Sequence, residues 1–258
     1  MDNLLKKWIN GLKRTKRKGI WLFNDVYNLK LNKKMLTPRL NCIINYVNSD
    51  TAADIGTDHA YIPIELIRIG RARRVIASDV KKGPLEIAEG NIKKYGLSDK
   101  IETRLGSGIS VLGSGEADTV IIAGMGGELI CEILKADMDK ARKSTLIIQP
   151  MNAQYELRRF LIDNGFTIEK EDIENEKHRV YNILVVKNGE QKPFEKDIDY
   201  HIPVYLYNHP KFNLLYEKKK REFNKITAGL ERSENCDIER LNYYKSCIRE
   251  LEEIENAL

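Results

Sequence analysis

Within the thirteen residues Thr51-Ala-Ala-Asp-Ile-Gly-Thr-Asp-His-Ala-Tyr-Ile-Pro63 the chain sets two carboxylates, a glycine and an imidazole. Asp54 ends a short apolar run, Gly56 follows it, and the polar turn Thr57-Asp58-His59 leads into a helix that opens at Tyr61. Pro63 falls in the first turn of that helix, where its missing N–H has no intrahelical partner to lose. Strand, glycine turn and helix is how an open α/β sheet brings backbone N–H groups and carboxylates to a nucleotide-like ligand at the carboxyl ends of its strands. The turn holds one glycine, so the G-x-G-x-x-G fingerprint of nicotinamide dinucleotide sites is absent. Asp58 and His59 carry two readings: a helix-start cap and a satisfied polar contact, or groups that orient a ligand and handle charge developing on it.

Four more segments end in the same polar or glycine-rich way. Asp79 closes Arg74-Val-Ile-Ala-Ser-Asp79, 25 residues and one βαβ step after Asp54. A carboxylate there can accept two hydrogen bonds from a ribose diol, or cap the following helix. Gly106-Ser107-Gly108 follows the third strand, and Ala123-Gly124-Met125-Gly126-Gly127 follows the fourth. Glycines at 124–127 allow a base to approach the backbone closely, or a helix to pack tightly on its strand. Gln149 and Asn152, in Gln149-Pro-Met-Asn152, could hydrogen-bond a base edge or cap the helix that begins there.

The elements that position these ends alternate regularly. Strands are expected at 51–56, 74–79, 101–105, 119–123 and 145–148, with helices over 62–69, 83–95, after Gly127 and around Leu157 to Leu161. Two further strands, 166–170 and 180–186, flank a charged stretch without an apolar helical face and predict an antiparallel hairpin closing a parallel sheet. The alternation stops near Lys192-Pro193. Beyond Lys211, two segments near a 3.5 period (Phe212, Leu215, Phe223, Ile226, Leu230; Ile238, Leu241, Ile248, Leu251, Leu258) predict an antiparallel coiled-coil hairpin turning near Asn235. Its first arm carries Lys218, Lys219, Lys220, Arg221 and Lys225. These cations are expected either to bind RNA phosphates or to pair with the acidic second arm.

Composition narrows the class. The chain has 258 residues, 42% hydrophobic and 31% charged, enough for one α/β core and an appendage. No run reaches the roughly 18 apolar residues of a membrane span, and no apolar signal core is seen at the start, so a cytoplasmic protein is expected. Four scattered cysteines without a C-x-x-C pair predict reduced, structural thiols, and His178, His201 and His209 show no ligand spacing, so no metal is assigned. The net charge of +5 is local: residues 1–34 hold ten Lys/Arg against two Asp, a net of +8, and the other 224 residues are at −3. This extension, with Leu4, Leu5, Trp8, Ile9 and Leu12 at helical spacing before Lys13-Arg-Thr-Lys-Arg-Lys-Gly19, carries several readings. It is an arm for RNA or an anionic membrane surface, a loosely ordered extension, or a segment upstream of a true start at Met35.

Seven strands with a closing hairpin, a one-glycine first turn and an acidic second-strand tip resemble the class I S-adenosylmethionine-dependent methyltransferases. Asp54-Ile-Gly-Thr-Asp-His-Ala-Tyr-Ile-Pro63, Gly83-Pro84, Ala123-Gly-Met-Gly-Gly127, Gln149-Pro150 and His209-Pro-Lys-Phe212 resemble more closely the bacterial tRNA (adenine(22)-N1)-methyltransferase family, over residues 35–258. The resemblance implies a Rossmann-like seven-stranded α/β methyltransferase domain over 35–190, then a linker and tRNA-binding coiled-coil hairpin over 191–258. It implies S-adenosyl-L-methionine bound by Asp54, Gly56, Asp79, Gly106, Ser107, Ala123 and Gly124, with Asp58, His59 and Met125 at the reacting centre. The partner implied is tRNA; separately, a monomer is expected. Ser107 departs from the pattern, since an acidic residue is expected there to contact the cofactor's adenine amine; a neutral acceptor forfeits on the order of 1 kcal/mol. At Gly124-Met-Gly-Gly127 there is no side-chain acceptor for an exocyclic amine. A ring nitrogen such as adenine N1, which presents its own lone pair, needs positioning rather than a base. Other expectations to weigh are a class I methyltransferase for a protein or small molecule, and a non-catalytic RNA-binding relative.

Overall fold

Apolar strands alternating with one-sided helices build a seven-stranded sheet in the order β3-β2-β1-β4-β5-β7-β6. The strands are β1 (Ser49–Ile55), β2 (Ala72–Asp79), β3 (Ile101–Leu105), β4 (Thr119–Met125), β5 (Thr145–Pro150), β6 (Phe166–Glu176) and β7 (Arg179–Asn188). The first five run parallel, and β7 enters antiparallel between β5 and β6. The structure, a computed structural model, describes residues 36–257. The expected basic extension over 1–34, Met35 and Leu258 lie outside them. The described residues from Pro38 onward form one compact unit.

Parallel strands covered on both faces need continuous apolar runs. Val120-Ile-Ile122 and Leu146-Ile-Ile148 supply them, each residue at most 1% exposed. Helices α1 (Pro38–Tyr46), α2 (Tyr61–Arg68), α3 (Lys82–Lys94), α4 (Gly127–Ala136), α5 (Met138–Ala141) and α6 (Gln154–Asp163) accompany the sheet. Strand order reverses at β1 and β4, which places the ligand crevice of such a sheet outside their carboxyl ends.

Strand β6 continues six residues past the expected end at Lys170. A register shift between Ile168 and Lys170 turns Glu171 inward, where Arg158, fully buried, donates to it through Nε and Nη2. Asn182 and Tyr205 donate to the same carboxylate at 2.7 and 2.8 Å. A charged residue on the inward face hid this strand, and the charged stretch between the hairpin strands shrinks to a two-residue turn, Lys177-His178.

After β7 the chain packs back through α7 (Ile198–His201) into α8 (Phe212–Glu231) and α9 (Ile238–Ala257). Ile198, Ile202, Leu206, Phe212, Leu215, Phe223, Cys247 and Leu251 form one buried cluster. The two long helices are antiparallel: Glu231 pairs with Lys245 at one end, and Tyr216 and Lys220 meet Glu255 at the other. Of the expected apolar positions, Ile238 is 60% exposed. Asp237 caps α9 there, accepting from the Arg240 N–H at 3.0 Å. All four cysteines are free thiols.

Candidate active site

Asp54 lies near the end of β1 between Ala77 of β2 and Ile121 of β4. It is 7% exposed. Burial raises its carboxyl to about 6; the Thr57 hydroxyl pulls the other way and the charge of Asp79 adds to the rise. The turn that follows is pinned to β2, since Gly56 and Thr57 both donate their N–H to the Ser78 carbonyl at 2.8 Å. Gly56 has φ +80°, which suits a glycine, and the Met125 side chain covers it. His59 Nε2 sits 3.3 Å from Asp58, its ring stacks on Tyr61 at 5.0 Å, and Asn91 holds its carbonyl at 3.0 Å. Both Asp58 and His59 are open to solvent beside the Gly56 turn.

At the tip of β2, one oxygen of Asp79 accepts from the Lys81 N–H at 2.7 Å. The other has no partner among the described residues, so capping the next turn and accepting from a ligand are compatible. Ser107 is exposed on the neighbouring turn, which Gly106 ties back to the Asp79 carbonyl at 3.0 Å.

Strand β4 breaks register between Ala123 and Met125, leaving Gly124 out of the ladder, exposed, with φ +79°. Gly127 is buried for a packing reason: a β-carbon there would meet the Ala153 carbonyl oxygen at 2.5 Å. The glycine run therefore divides, Gly124 facing outward and Gly127 seating α4 on the β5–α6 loop. Asn152 serves that seat too, its Oδ1 accepting from the Gly127 N–H at 3.3 Å. It caps α4 rather than the helix that follows it.

Two sequence expectations need correcting. Gln149 is fully buried and does not reach a base edge: its Oε1 accepts from Arg39 Nη1 at 2.6 Å and its Nε2 donates to the Pro150 carbonyl at 2.8 Å. The basic run on α8 is not one phosphate-binding face, because consecutive helical residues point about 100° apart. Lys219 is 3% exposed and pairs with Glu222; Lys218 donates to the Val180 carbonyl; Lys220 pairs with Glu255. Burial lowers the Lys218 ammonium to about 8. Arg221 pairs with Glu217, and it and Lys225 are the exposed members.

Arg39 was not expected at the site. From α1 its guanidinium reaches over the carboxyl ends of β4 and β5. Nη1 lies 3.9 Å from where a β-carbon on Gly124 would sit, Nε is 3.8 Å from Glu176, and the group stands 5.4 Å over the Tyr181 ring. Its partner Gln149 lies 110 residues away, so no local pattern could reveal it. Among the described residues, no three His, Cys, Asp or Glu side chains are grouped to hold a metal ion.

Comparison with known proteins agrees with this geometry. A family model described as "Methyltransferase domain" matches residues 36–184. The tRNA (adenine(22)-N(1))-methyltransferase of Bacillus subtilis (strain 168) is 37% identical over 163 residues, 62% of this chain and 68% of the relative. This chain belongs to the tRNA (adenine(22)-N1)-methyltransferase family. Among solved structures, Streptococcus pneumoniae Sp1610 in complex with S-adenosyl-L-methionine is 32% identical, with TM-score 0.75 over 85% of this chain and 99% of that one. M. capricolum TrmK in complex with S-adenosyl-homocysteine is 27% identical, with TM-score 0.71 over 86% and 97%. Gln149, Lys218, Lys219 and Lys220 make their contacts within the fold.

Proposed function

We propose that this chain transfers the methyl group of S-adenosyl-L-methionine to N1 of adenine 22 in tRNA. The observation that carries this reading is Gly124. It is exposed at the carboxyl edge with no side chain of its own, Gln149 is turned inward, and the Asn152 oxygen is committed to α4. Among the described residues, neither Gly124 nor the Gln149 and Asn152 side chains offer a free acceptor there for an exocyclic amine. A ring nitrogen that brings its own lone pair needs alignment and exclusion of water instead.

The residues fit the cofactor. Gly56 keeps the first turn narrow, the buried Asp54 carboxylate suits a cationic group, and the open oxygen of Asp79 suits a ribose diol. When bound, the cofactor supplies an electrophilic methyl group. Asp58 and His59 are solvent-accessible beside the turn, and the role we assign them is to orient the base and stabilise the charge it gains. In a paired adenine N1 is occupied, so the base must be unpaired or extruded before it reaches Gly124.

No helix among the described residues is long and apolar enough to cross a membrane. The reading carries with it a cytoplasmic monomer that uses no metal. Nucleoside mass spectrometry on tRNA from cells lacking the gene tests it: loss of 1-methyladenosine from position 22 is expected, and undiminished 1-methyladenosine there overturns it.

A further inference from the structure

With Lys218, Lys219 and Lys220 held within the fold, the α8 run leaves only Arg221 and Lys225 exposed to a bound RNA, so further phosphate contacts are needed. The β6–β7 hairpin offers them. Ile148 of β5 pairs with Leu184 of β7, which puts Pro150, the last residue of β5, level with Asn182. Strand β7 begins at Arg179, so the hairpin overhangs the carboxyl edge by three residues, about 10 Å. The overhang ends in Lys177, His178 and Arg179, all exposed and none in an ion pair among the described residues. Lys177 takes φ +55°, within the two-residue turn that joins Glu176 to Arg179.

The acidic residues near the tip are already neutralised. Glu174 pairs with Lys211, and Glu176 lies 3.8 Å from Arg39. Arg39 joins the overhang to the reaction edge, since it packs on Tyr181 and Glu176 while its Nη1 reaches toward Gly124. Gln149 and the Tyr181 ring hold the guanidinium in place, the preorganisation that a phosphate-binding arginine requires.

We infer that Lys177, His178 and Arg179 at the β6–β7 tip, with Arg39 at its base, grip the RNA phosphates flanking the target adenine and set that base over Gly124. The inference rests on the tRNA reading above and deepens it: phosphate contacts fix position and register, while the pocket edge receives the base.

The test is a salt titration of binding between the full chain and an unmodified tRNA transcript, with Lys177→Ala/Arg179→Ala against wild type. The double variant lies on an exposed turn and is expected to melt like wild type. Its affinity should fall roughly tenfold or more, and its log–log salt slope should flatten by roughly 1.4–1.8, two lost contacts. KM for tRNA should rise, with cofactor affinity unchanged by calorimetry. Arg39→Gln should weaken tRNA binding in the same direction, and Arg221→Ala/Lys225→Ala on α8 should flatten the slope less than the tip variant does. A tip variant with wild-type slope, affinity and KM, in a wild-type chain that does methylate tRNA, overturns this inference alone. A wild-type chain that leaves tRNA unmethylated overturns the proposed function and this inference with it.

Discussion

The Cε of Met125 lies 2.1 Å from the point a β-carbon on Gly56 would occupy. The two residues stand at the ends of β1 and β4, on either side of the point where strand order reverses. The first turn is thus closed by a flexible thioether laid over a bare backbone, not by a fixed wall. Gly56→Ala must both adopt φ +80° and displace that methyl. The left-handed conformation alone costs roughly 1–2 kcal/mol. We expect a stability loss of that size by denaturant unfolding, together with weaker S-adenosyl-L-methionine binding. Gly90→Ala, in α3 with open space around it, should instead gain about 0.5–1 kcal/mol. Equal effects at the two sites would contradict the role given to the turn.

Asp54 sets a pH dependence. Burial raises its carboxyl from 3.8 to about 6. The unfolded chain gives up this proton near its ordinary value, while the folded chain holds it to about 6. Over that interval the native state binds more protons, so Asp54 makes stability fall as pH rises from about 4 to about 6, with no further change above. Asp54→Asn should remove this decline and raise the melting stability of the ligand-free protein at pH 7 by about 1–3 kcal/mol, while weakening cofactor binding. A variant with the wild-type pH–stability profile would show that Asp54 is not ionised against its surroundings.

Ser107 stands exposed on the turn after β3, where the family resemblance leads one to expect an acidic residue for the cofactor's adenine amine. Ser107→Asp should preserve the fold and tighten S-adenosyl-L-methionine binding by about 1 kcal/mol, roughly fivefold. Calorimetry showing an unchanged or raised Kd would place the residue away from the adenine.

Lys219 is a buried cation whose charge is disfavoured by burial and offset by Glu222. Replacing one member of a buried pair is harmful when its partner is stranded, but the Glu222 side chain is 44% exposed. Lys219→Met should therefore leave stability unchanged or raise it by up to about 2 kcal/mol, and leave tRNA affinity as it is. A loss of tRNA affinity without loss of stability would restore Lys219 as a phosphate contact.

What was legible in the sequence follows from range. Asp54, Gly56, Asp79 and Gly124 could be placed because each ends a short apolar run, and strand ends in a parallel sheet share one edge. Strand β6 beyond Lys170 was hidden because its inward position is Glu171, made acceptable only by Arg158 from another element. Gln149 was legible as a strand end, but its partner Arg39 lies 110 residues away and carried no local signal. The α8 lysines misled for the opposite reason: a run dense in sequence is dispersed around a helix, so the sheet took Lys218, the seam Lys220, and Lys219 is buried beside Glu222 of its own helix.

The central claim is transfer to one ring nitrogen of one tRNA adenine. The direct measurement is methylation of an unmodified tRNA transcript by the purified chain, with the product mapped by mass spectrometry of nuclease fragments. The account predicts one methyl group per tRNA, as 1-methyladenosine at position 22, and none when that adenine is replaced by guanine. Methylation elsewhere, on an exocyclic amine, or undiminished in the substituted transcript would contradict it.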